Sequence, residues 1–372
     1  MTRPDEALRD TCRAFFTRES PPSTVRAAEV ALPPGFDAEL WAKAATLGVP
    51  GLVRDGAGLA DLAVIAEEGG RALAPIPLVE SLVAARALAE LDASGSAPDG
   101  IVTIAVRPAE RGMARLVPAG AVADAVVALD GDEVVVARGV PPAAPPTFSF
   151  APLADRSLED RTVLARGADA RAAFAAALDD WRLLTASALV GLGSRALALG
   201  VDYATTRRQF GVPIGSFQAI QHRLADVATT LDAAALLVRR AVDDPSPVAA
   251  AMAFLSATAA ARAAAGAGLH VHGGYGFMAE YDIQLYFRRA SAWPLVLGDP
   301  ADERDRLADL LEVDGWLLPE PAPTGFRGEV RHLLAEACTP AVLERVLTTG
   351  VVHDWGLHRR FAEADLLGAG VT

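Results

Sequence analysis

The chain has 372 residues, of which 52% are hydrophobic, and a formal net charge of −13. This length allows two or three packed units with a sizeable core. A negative surface disfavours nucleic acid and anionic membranes as partners, so a phosphate-bearing ligand needs a local cluster of cations. The two cysteines, Cys12 and Cys338, lie far apart without metal-ligand spacing, so neither a disulfide framework nor a zinc site is indicated.

The sequence gives no signal for secretion or membrane insertion. Residues 1–6 are followed by no apolar stretch of the kind found in signal peptides, which predicts a cytoplasmic protein. The alanine-rich run from Pro247 to Ala261 is interrupted by Arg262, and we expect it to be too short and too weakly apolar to span a bilayer.

The first half of the chain changes from a helical to a strand pattern. Residues 5–92 have the spacing of amphipathic helices, most clearly over 36–47 and 59–73. From about residue 99 to 165 the pattern becomes short valine-rich runs. Asp130-Gly131-Asp132 lies between two of these runs and predicts a β-hairpin.

Long alanine- and leucine-rich helices are expected from about residue 169 to 312, with breaks near Gly211, Pro245 and Gly273. Helices, a small β unit and then a helical bundle indicate an α+β fold that is mostly α. The changes in pattern predict five segments: an N-terminal helical domain (1–95), a middle β domain (96–167), a C-terminal four-helix bundle (168–313), a linker (314–325) and a helical tail (326–372).

The most informative stretch runs from Tyr203 to His222 and contains Arg-Arg-Gln-Phe-Gly-Val-Pro-Ile, followed shortly by Phe-Gln. A helix is predicted to end here because Gly211 and Pro213 break the backbone. The C-terminal end of this helix then presents Arg207 and Arg208 together with the side-chain amide of Gln209.

A glycine-rich turn, Gly273-Gly274-Tyr275-Gly276-Phe277, follows further along the chain. Three of its five residues lack a Cβ atom, so its backbone can approach a phosphate or a planar ring closely. Together with the arginines, the turn predicts a site for an extended anionic cofactor.

These two stretches resemble the signature segments of the acyl-CoA dehydrogenase family. The resemblance extends over roughly residues 1–312, and it is specific because ordinary helix packing does not require an Arg-x-Gln-Phe-Gly-x-Pro-Ile-x-x-Phe-Gln block. It implies the acyl-CoA dehydrogenase fold, FAD as cofactor and an acyl-CoA substrate. It also implies electron-transfer flavoprotein or a similar electron acceptor, and a role in β-oxidation of fatty acids or steroid side chains.

The resemblance also implies which residues contact the cofactor. In dimeric members the matching residues reach the adenine-diphosphate half of a flavin held by the neighbouring chain. The expected cofactor-binding residues are Arg207, Gln209, Phe210, Gln218, His270, Gly273, Gly274 and Gly276. His270 stands where the family often has a glutamine, and a helix-end histidine bonded to backbone fits the sequence equally well. His222 and His272 have no partner at metal-ligand spacing, so no metal is expected.

The middle domain departs from the family pattern. Members usually carry a Thr-Glu-Pro-x-x-Gly-Ser-Asp type loop there, whose backbone and hydroxyl groups hold the flavin ring. Residues 104–112 of this chain keep a proline and an acid but lack the hydroxyl residues. We therefore expect this chain to hold the flavin ring of its own site poorly.

The family's proton acceptor is missing from its usual places. The resemblance implies that a carboxylate removes the α proton of the thioester while the β hydride passes to the flavin. The usual glutamate position falls on Leu297, and the second known position falls near Ala259, with no carboxylate in residues 248–278. Asp299 is a possible substitute through a local shift, but Asp299-Pro300 is also an ordinary helix start.

The tail resembles the beginning of the chain. Residues 326–334 are similar to residues 8–16, and residues 361–368 are similar to residues 41–48, at an offset of about 320 residues. This repeat indicates the first helices of a second dehydrogenase unit. A helical tail that packs on the bundle is the alternative.

Three functions remain open at this point. The first is a non-catalytic, flavin-completing subunit or half of a heteromeric acyl-CoA dehydrogenase, similar to bacterial enzymes in which only one of two related chains carries the glutamate. It implies an oligomer with a related dehydrogenase chain or with a second copy. The second is a self-sufficient dehydrogenase, or a related thioester or nitroalkane oxidase, that uses Asp299 or another base. The third is a binding module that has lost flavin.

Overall fold

A computed structural model describes residues 6–91, 100–314, 325–349, 353–364 and 366. The chain divides into two compact units, Met1–Asp314 and Gly315–Thr372. In the first unit a group of helices precedes a small set of strands, and helices return after the strands. This mostly helical order confirms the predicted fold class. The finer division of the first unit into three domains stays a prediction.

The N-terminal part of the first unit consists of helices whose apolar faces form one core. The helices are α1 (Glu6–Glu19), α2 (Pro22–Glu29), α3 (Ala38–Thr46), α4 (Leu59–Arg71) and α5 (Leu78–Leu91). The Asp37 carboxylate caps α3 by accepting the Leu40 backbone N–H at 2.8 Å. The amphipathic helices expected over 36–47 and 59–73 are confirmed as α3 and α4. Phe16 and Leu62 are buried in the shared core.

The middle strands form a four-stranded sheet and a separate antiparallel pair. The sheet has the order β1 (Val102–Ile104), β3 (Ala125–Asp130), β4 (Glu133–Arg138), β6 (Arg161–Arg166), and the pair is β2 (Met113–Val117) with β5 (Ala154–Ser157). β1 is parallel to β3, whereas β4 is antiparallel to both of its neighbours. The expected hairpin is confirmed, because Asp130 pairs with Glu133 across a turn in which Gly131 has a φ of +63°.

Five helices complete the first unit. They are α6 (Gly167–Thr206), α7 (Gln218–Asp243), α8 (Pro247–His272), α9 (Ile283–Ala292) and α10 (Pro300–Asp314). α6 packs against α4, α7, α8 and α9, which explains why so many of its residues are buried. The three predicted breaks in the helical region are confirmed by the ends of α6, α7 and α8.

The backbones of α4 and α6 meet in close contact. A Cβ atom on Gly70 would lie 2.1 Å from the Ala188 carbonyl oxygen, and one on Gly191 would lie 1.9 Å from the Glu67 carbonyl oxygen. These distances are far inside van der Waals contact, so glycine is required at both positions. The contact holds the middle of α6 against the N-terminal helices.

Among the described residues, two helical stretches are long and apolar enough to cross a membrane, Gly167–Thr206 and Pro247–Phe277. The second finding corrects the expectation that the run after Pro247 is too short, because the helix continues through Arg262 to His272. In the two most apolar windows, 67% and 50% of the residues are buried inside the protein, and core helices of soluble proteins pass the same test.

The second unit contains three short helices, α11 (Gly325–Ala337), α12 (Pro340–Thr349) and α13 (Trp355–Glu363). The Asp354 carboxylate caps α13 by accepting the Leu357 backbone N–H at 2.8 Å. This bond has the geometry of the α3 cap. Arg345 also forms an ion pair with Asp354.

Candidate functional site

The signature arginines lie in an exposed turn that follows α6. The helix ends because Arg207 adopts an extended conformation, after which β7 (Arg208–Gln209) and β8 (Val212–Pro213) form a small antiparallel hairpin. Gly211 at its tip has a φ of +82°, and Phe210 before it has a φ of +53°. This geometry directs the Phe210 side chain outward, where 92% of it is exposed.

The glycine turn lies next to this hairpin. α8 ends at His272, and Gly273–Phe277 forms a 3-10 turn that starts with a φ of +60° at Gly273. The guanidinium carbon of Arg207 lies 5.7 Å from the centroid of the Tyr275 ring, which brings the two signature segments together. We call this exposed region, formed by residues 207–218 and 270–278, the signature surface.

The glycines of the signature surface serve two different purposes. A Cβ atom on Gly273 or Gly274 would meet no protein atom within 4 Å, so the backbone there is open to an approaching ligand. A Cβ atom on Gly276 would lie 2.7 Å from the Leu269 carbonyl oxygen, and this residue is buried. Packing therefore explains Gly276, whereas Gly273 and Gly274 fit the predicted contact with a cofactor.

Arg207, Arg208, Gln209, Gln218 and His270 of the signature surface are exposed. They differ in the hydrogen bonds that they form within the chain. The Arg208 guanidinium donates to the Gly211 carbonyl at 2.9 Å, and the Gln209 side chain donates to the Arg208 carbonyl at 2.7 Å. Within the described residues no carboxylate lies within salt-bridge distance of Arg207. Gln218 starts α7 and His270 lies in the last turn of α8, both on the outside.

His272 and Tyr203 support this surface from below. His272 is buried, its Nδ1 lies 2.7 Å from the Gly268 carbonyl oxygen, and its ring stacks on Tyr203 at a centroid distance of 4.2 Å. Both rings therefore hold the end of α8 against the end of α6.

The position expected for the proton acceptor lies beside the core. Leu297 directly follows the 3-10 turn Trp293–Val296 and packs, partly buried, against the core of the N-terminal helices. Asp299 is exposed, and its carboxylate accepts the Ala301 backbone N–H at 2.8 Å at the start of α10. This bond is the ordinary role of an aspartate before a helix.

A cavity of about 130 Å³ is lined in part by Val296, the residue before Leu297. Its wall contains Val296 and Trp293, the middle of α6, the end of α4 and the start of α5. Most of the lining is apolar. The lining residues whose side chains carry polar atoms are Glu80, Ser149, Trp181, Thr185, Arg289 and Trp293.

Two of these polar side chains lack the partners that a closed interior requires. Burial raises the pKa of the Glu80 carboxyl to about 7, while its own backbone N–H acts in the opposite direction. Within the described residues no cation lies within salt-bridge distance of Glu80, and the residue is partly exposed and lines the cavity. Trp181 is 2% exposed, and its Nε1–H has no hydrogen-bond partner among the described residues.

Arg289 is the cationic group of the cavity wall, and it is already neutralised. Its Nη1 donates to a Glu29 carboxylate oxygen at 2.8 Å, and the same carboxylate also binds Arg288. Burial lowers the pKa of Arg289, and Glu29 opposes that shift. Glu80 is therefore the carboxylate of the lining that no arginine balances.

Sequence reasoning missed Glu80 because an acid in the first turn of a helix is common and stabilises the helix dipole. The available signal is its setting, an acid directly after the apolar stretch Pro75-Ile76-Pro77-Leu78-Val79. Trp181 lies in the core and also lines the cavity.

The middle-domain segment in the place of the flavin loop contacts the Leu297 region. The Arg107 side chain donates from Nη2 to the Val296 carbonyl at 3.1 Å, and its Nε is buried and has no partner in the part of the chain that the structure describes. Arg111 and Gly112 form the tip of the segment with φ values of +53° and +73°.

Comparisons with known proteins agree with the sequence motifs. The family described as acyl-CoA dehydrogenase, C-terminal domain, matches residues 171–309. The acyl-CoA dehydrogenase IpdE2 of Mycobacterium tuberculosis is 36% identical over 349 residues, which covers 86% of this chain and 100% of that protein. The chain belongs to the acyl-CoA dehydrogenase family. Members of this family are FAD-dependent oxidoreductases.

Two solved structures of high similarity are complexes named for two chains. The ChsE4–ChsE5 complex from Mycobacterium tuberculosis matches with a TM-score of 0.76 and 25% identity, covering 85% of this chain and 99% of that one. The Tcur3481–Tcur3483 steroid acyl-CoA dehydrogenase variant matches with a TM-score of 0.73 and 27% identity, covering 83% of this chain and 97% of that one.

The diphosphate and adenine parts of FAD fit the signature surface. Arg207 is a cation without a carboxylate partner among the described residues, Gly273 and Gly274 leave their backbone open, and Phe210 is an exposed aromatic. Diphosphate oxygens suit such a guanidinium, and an adenine ring suits an exposed aromatic face.

Proposed function

We propose that this chain takes part in the α,β-dehydrogenation of an acyl-CoA thioester as the non-catalytic, flavin-completing subunit or half of a heteromeric enzyme. The observation that carries the proposal is the outward-facing signature surface. Its arginine has no carboxylate partner within the described residues, its Phe210 ring is 92% exposed and its glycine backbone is open, so these groups are accessible to a cofactor held by a neighbouring chain.

In the proposed complex the chain's own residues bind and orient. Arg207 would donate charge-assisted hydrogen bonds to the diphosphate oxygens, the open backbone at Gly273 and Gly274 would accommodate the same group, and Phe210 would contact the adenine. FAD, when bound, accepts the β hydride of the thioester. The α proton needs a carboxylate, and a leucine at position 297 cannot accept it, so the proton acceptor is assigned to the partner chain.

The two-chain complexes among the similar structures support a related dehydrogenase chain as partner. The steroid acyl-CoA dehydrogenase among them supports a steroid-derived acyl group as one substrate candidate beside fatty acyl groups. Electron-transfer flavoprotein or a similar acceptor would complete the proposed reaction, because the two electrons removed from the thioester must leave the enzyme in each cycle.

The competing function, a self-sufficient dehydrogenase, requires a carboxylate beside the thioester in this chain. Asp299 is exposed and occupied with the start of α10, which disfavours it. Glu80 is the carboxylate that lines the cavity near Leu297, and it is the second residue that such an enzyme could use.

Flavin retention tests the assignment of the signature surface. The chain is co-expressed with related dehydrogenase chains, and the FAD content and affinity of the purified complex are measured. Arg207→Ala should weaken FAD binding about tenfold or more, because a charge-assisted hydrogen bond contributes roughly 1.5 to 3 kcal/mol. Arg208→Ala is the matched control, since Arg208 is bonded within its own turn. Equal FAD affinity in the wild type and Arg207→Ala would remove the assignment.

Flavin bleaching tests the non-catalytic role. The isolated chain is reconstituted with FAD, kept anaerobic and mixed with a panel of acyl-CoA thioesters. We expect no rapid bleaching, because general-base assistance contributes roughly 10² to 10⁴-fold to such reactions. Rapid bleaching would instead identify a self-sufficient enzyme. Loss of this bleaching in Asp299→Asn or Glu80→Gln would then identify the residue that accepts the proton.

We further propose that the second unit is the start of a second dehydrogenase unit. Its helices repeat the first three helices of the chain in order, including a helix that begins with proline, Pro22 or Pro340, and a helix capped by aspartate, Asp37 or Asp354. The alignment with IpdE2 of Mycobacterium tuberculosis covers 100% of that protein but only 86% of this chain. This chain therefore has residues beyond those aligned with the relative, which supports the proposal that the tail is an addition to the family unit.

A further inference from the structure

The cavity lined by Val296 is small for a ligand site. Its volume is about 130 Å³, whereas sites that enclose a drug-sized ligand measure roughly 300 to 1,000 Å³. A ligand of that size enters only if part of the wall moves. This step rests on the proposed function only in taking an acyl group as the ligand, and it is independent of FAD and of the chain that supplies the proton acceptor.

The helical part of the cavity wall is fixed. Gly70 of α4 and Ala188 of α6 both line the cavity, and a Cβ atom on Gly70 would collide with the Ala188 carbonyl oxygen. These two backbones are already in direct contact, so they cannot move closer together. Moving them apart would open the close-packed core that contains Trp181 and Leu184. The part of the wall that moves is therefore expected elsewhere.

Another part of the wall is a loop between β4 and β5, from which Ser149, Phe150 and Ala151 line the cavity. We call residues 147–151 the gate segment. In the part of the chain that the structure describes, its hydrogen bonds join its residues only to one another and to the neighbouring Leu153. Residues 140–146 before it have no regular secondary structure and include four prolines, which lack a backbone N–H. The gate segment is thus held against the cavity by packing.

Two contacts hold Phe150 of the gate segment in place. A Cβ atom on Gly35 would collide with the Phe150 carbonyl oxygen, so the two backbones meet only because residue 35 is a glycine. The guanidinium carbon of Arg288 lies 4.9 Å from the centroid of the Phe150 ring. Phe150 itself has a φ of +56°, a conformation that is uncommon for a residue with a side chain. The closed position therefore carries backbone strain, which these contacts offset.

We propose that the gate segment is a movable gate to the cavity, latched by the contact of Phe150 with Gly35 and by the contact of its ring with Arg288. In the closed position Ser149 is 5% exposed. Opening breaks no helix or sheet bond and relieves the strain at Phe150. It gives a ligand larger than the closed cavity access to the fixed helical wall.

Thiol labelling of the full chain tests the gate without a substrate. Thr185→Cys and Ser187→Cys introduce reporter thiols on the same helix, α6. Thr185 lines the cavity and is 6% exposed, whereas Ser187 is 1% exposed and does not line it. Iodoacetamide labelling of each reporter is followed by peptide mass spectrometry. Thr185→Cys should react at least about tenfold faster than Ser187→Cys, because local opening is more frequent than unfolding of a core helix.

Two latch variants, each combined with the reporters, assign the opening to the gate segment. Gly35→Ala should raise the labelling rate of Thr185→Cys at least about tenfold, because its methyl group displaces Phe150. Gly48→Ala is the matched control: Gly48 has a similar φ of +82°, but a Cβ atom there meets no atom within 4 Å, so the rate should change less than about twofold. Phe150→Leu removes the ring from Arg288 and should raise the rate about threefold or more.

Two results would overturn the proposal. One is fast labelling of Thr185→Cys that neither Gly35→Ala nor Phe150→Leu changes, which would mean that the cavity is open without a gate. The other is labelling of Thr185→Cys that is as slow as that of Ser187→Cys in every variant, which would mean that the wall opens only when the helix unfolds. A failed flavin-retention experiment with Arg207→Ala would leave these rates unchanged, so the two hypotheses can fail separately.

Discussion

The first three helices of the chain and the three helices of the second unit have similar local structure and different burial. α3 and α13 each span nine residues and carry the same aspartate cap, whose N–H···O distance is 2.8 Å in both. In α1 and α3, however, Phe16 and Leu40 are 1% and 2% exposed. In α13 no residue of the described chain is buried, and Trp355 is 66% exposed.

This difference shows that a short sequence can specify the local structure of a helix, whereas the burial of that helix depends on the elements around it. Proline at a helix start and aspartate at a cap act within four residues, so they shape both regions alike. Burial needs neighbouring elements, and α1 obtains it by packing against α4 of the first unit. A second dehydrogenase unit that contained its own α4 and α5 would be expected to bury the matching faces of α11 and α13.

The largest contrast is expected from truncation of one apolar side chain in each region. Phe16→Ala should lower the free energy of unfolding of the first unit by about 3 to 5 kcal/mol, because it leaves a cavity in a closed core. Leu334→Ala in α11 should change the free energy of unfolding by less than about 0.5 kcal/mol, because 37% of this residue is already exposed. Denaturant unfolding monitored by fluorescence checks both values. Similar losses in the two variants would mean that the tail is buried as deeply as α1.

The two cysteines provide a chemical measure of the same contrast. Burial, assisted by Glu68, raises the pKa of the Cys12 thiol to about 11, whereas Cys338 is only partly buried. At pH 8 the reactive thiolate of Cys12 should be about a hundredfold scarcer than that of an ordinary thiol. Iodoacetamide followed by peptide mass spectrometry should therefore label Cys338 first and Cys12 only after unfolding. Early labelling of Cys12 would show that α1 opens in the native state.

Removal of a helix cap should have a smaller effect, which extends to the whole first unit for one cap and stays within one helix for the other. Asp37→Ala and Asp354→Ala each remove one cap, at a cost of about 1 kcal/mol. Asp37→Ala should reduce the stability of the whole first unit because α3 belongs to its core. Asp354→Ala should only speed amide hydrogen exchange within α13. A global loss of stability in Asp354→Ala would contradict the separation of the two units.

The smallest effect is expected from removal of residues 326–372. If the tail begins another unit, the melting temperature of the remaining chain should change by no more than a few degrees. Differential scanning calorimetry measures the change. A drop of more than about ten degrees would show that the tail is an integral part of the dehydrogenase fold.

Local signals made much of the fold predictable. The breaks at Gly211, Pro245 and Gly273 and the hairpin at Asp130-Gly131-Asp132 rest on backbone preferences of single residues, which act without distant contacts. The family motif led to the fold class and to the residues of the signature surface, because its residue types and spacing are unusual for helix packing. Whether those residues bind FAD stays a prediction.

The cavity could not be predicted in the same way. Glu80 and Trp181 are about a hundred residues apart, and only the packing of α5 and α6 places both in one wall. The different roles of Gly274 and Gly276 were also hidden, since both match the motif equally well. Only the distance from Gly276 to the Leu269 carbonyl shows that this glycine is needed for packing.

The backbone contact between α4 and α6 bears on how variation in this protein should be interpreted. Any side chain larger than hydrogen at Gly70 or Gly191 would collide with a carbonyl oxygen, and a carbonyl cannot rotate away as a side chain can. In a library of random variants, these two glycines should tolerate replacement as rarely as residues that contact the substrate. Their intolerance would record the spacing of two helices, so a map of invariant positions alone would overstate the size of the active site.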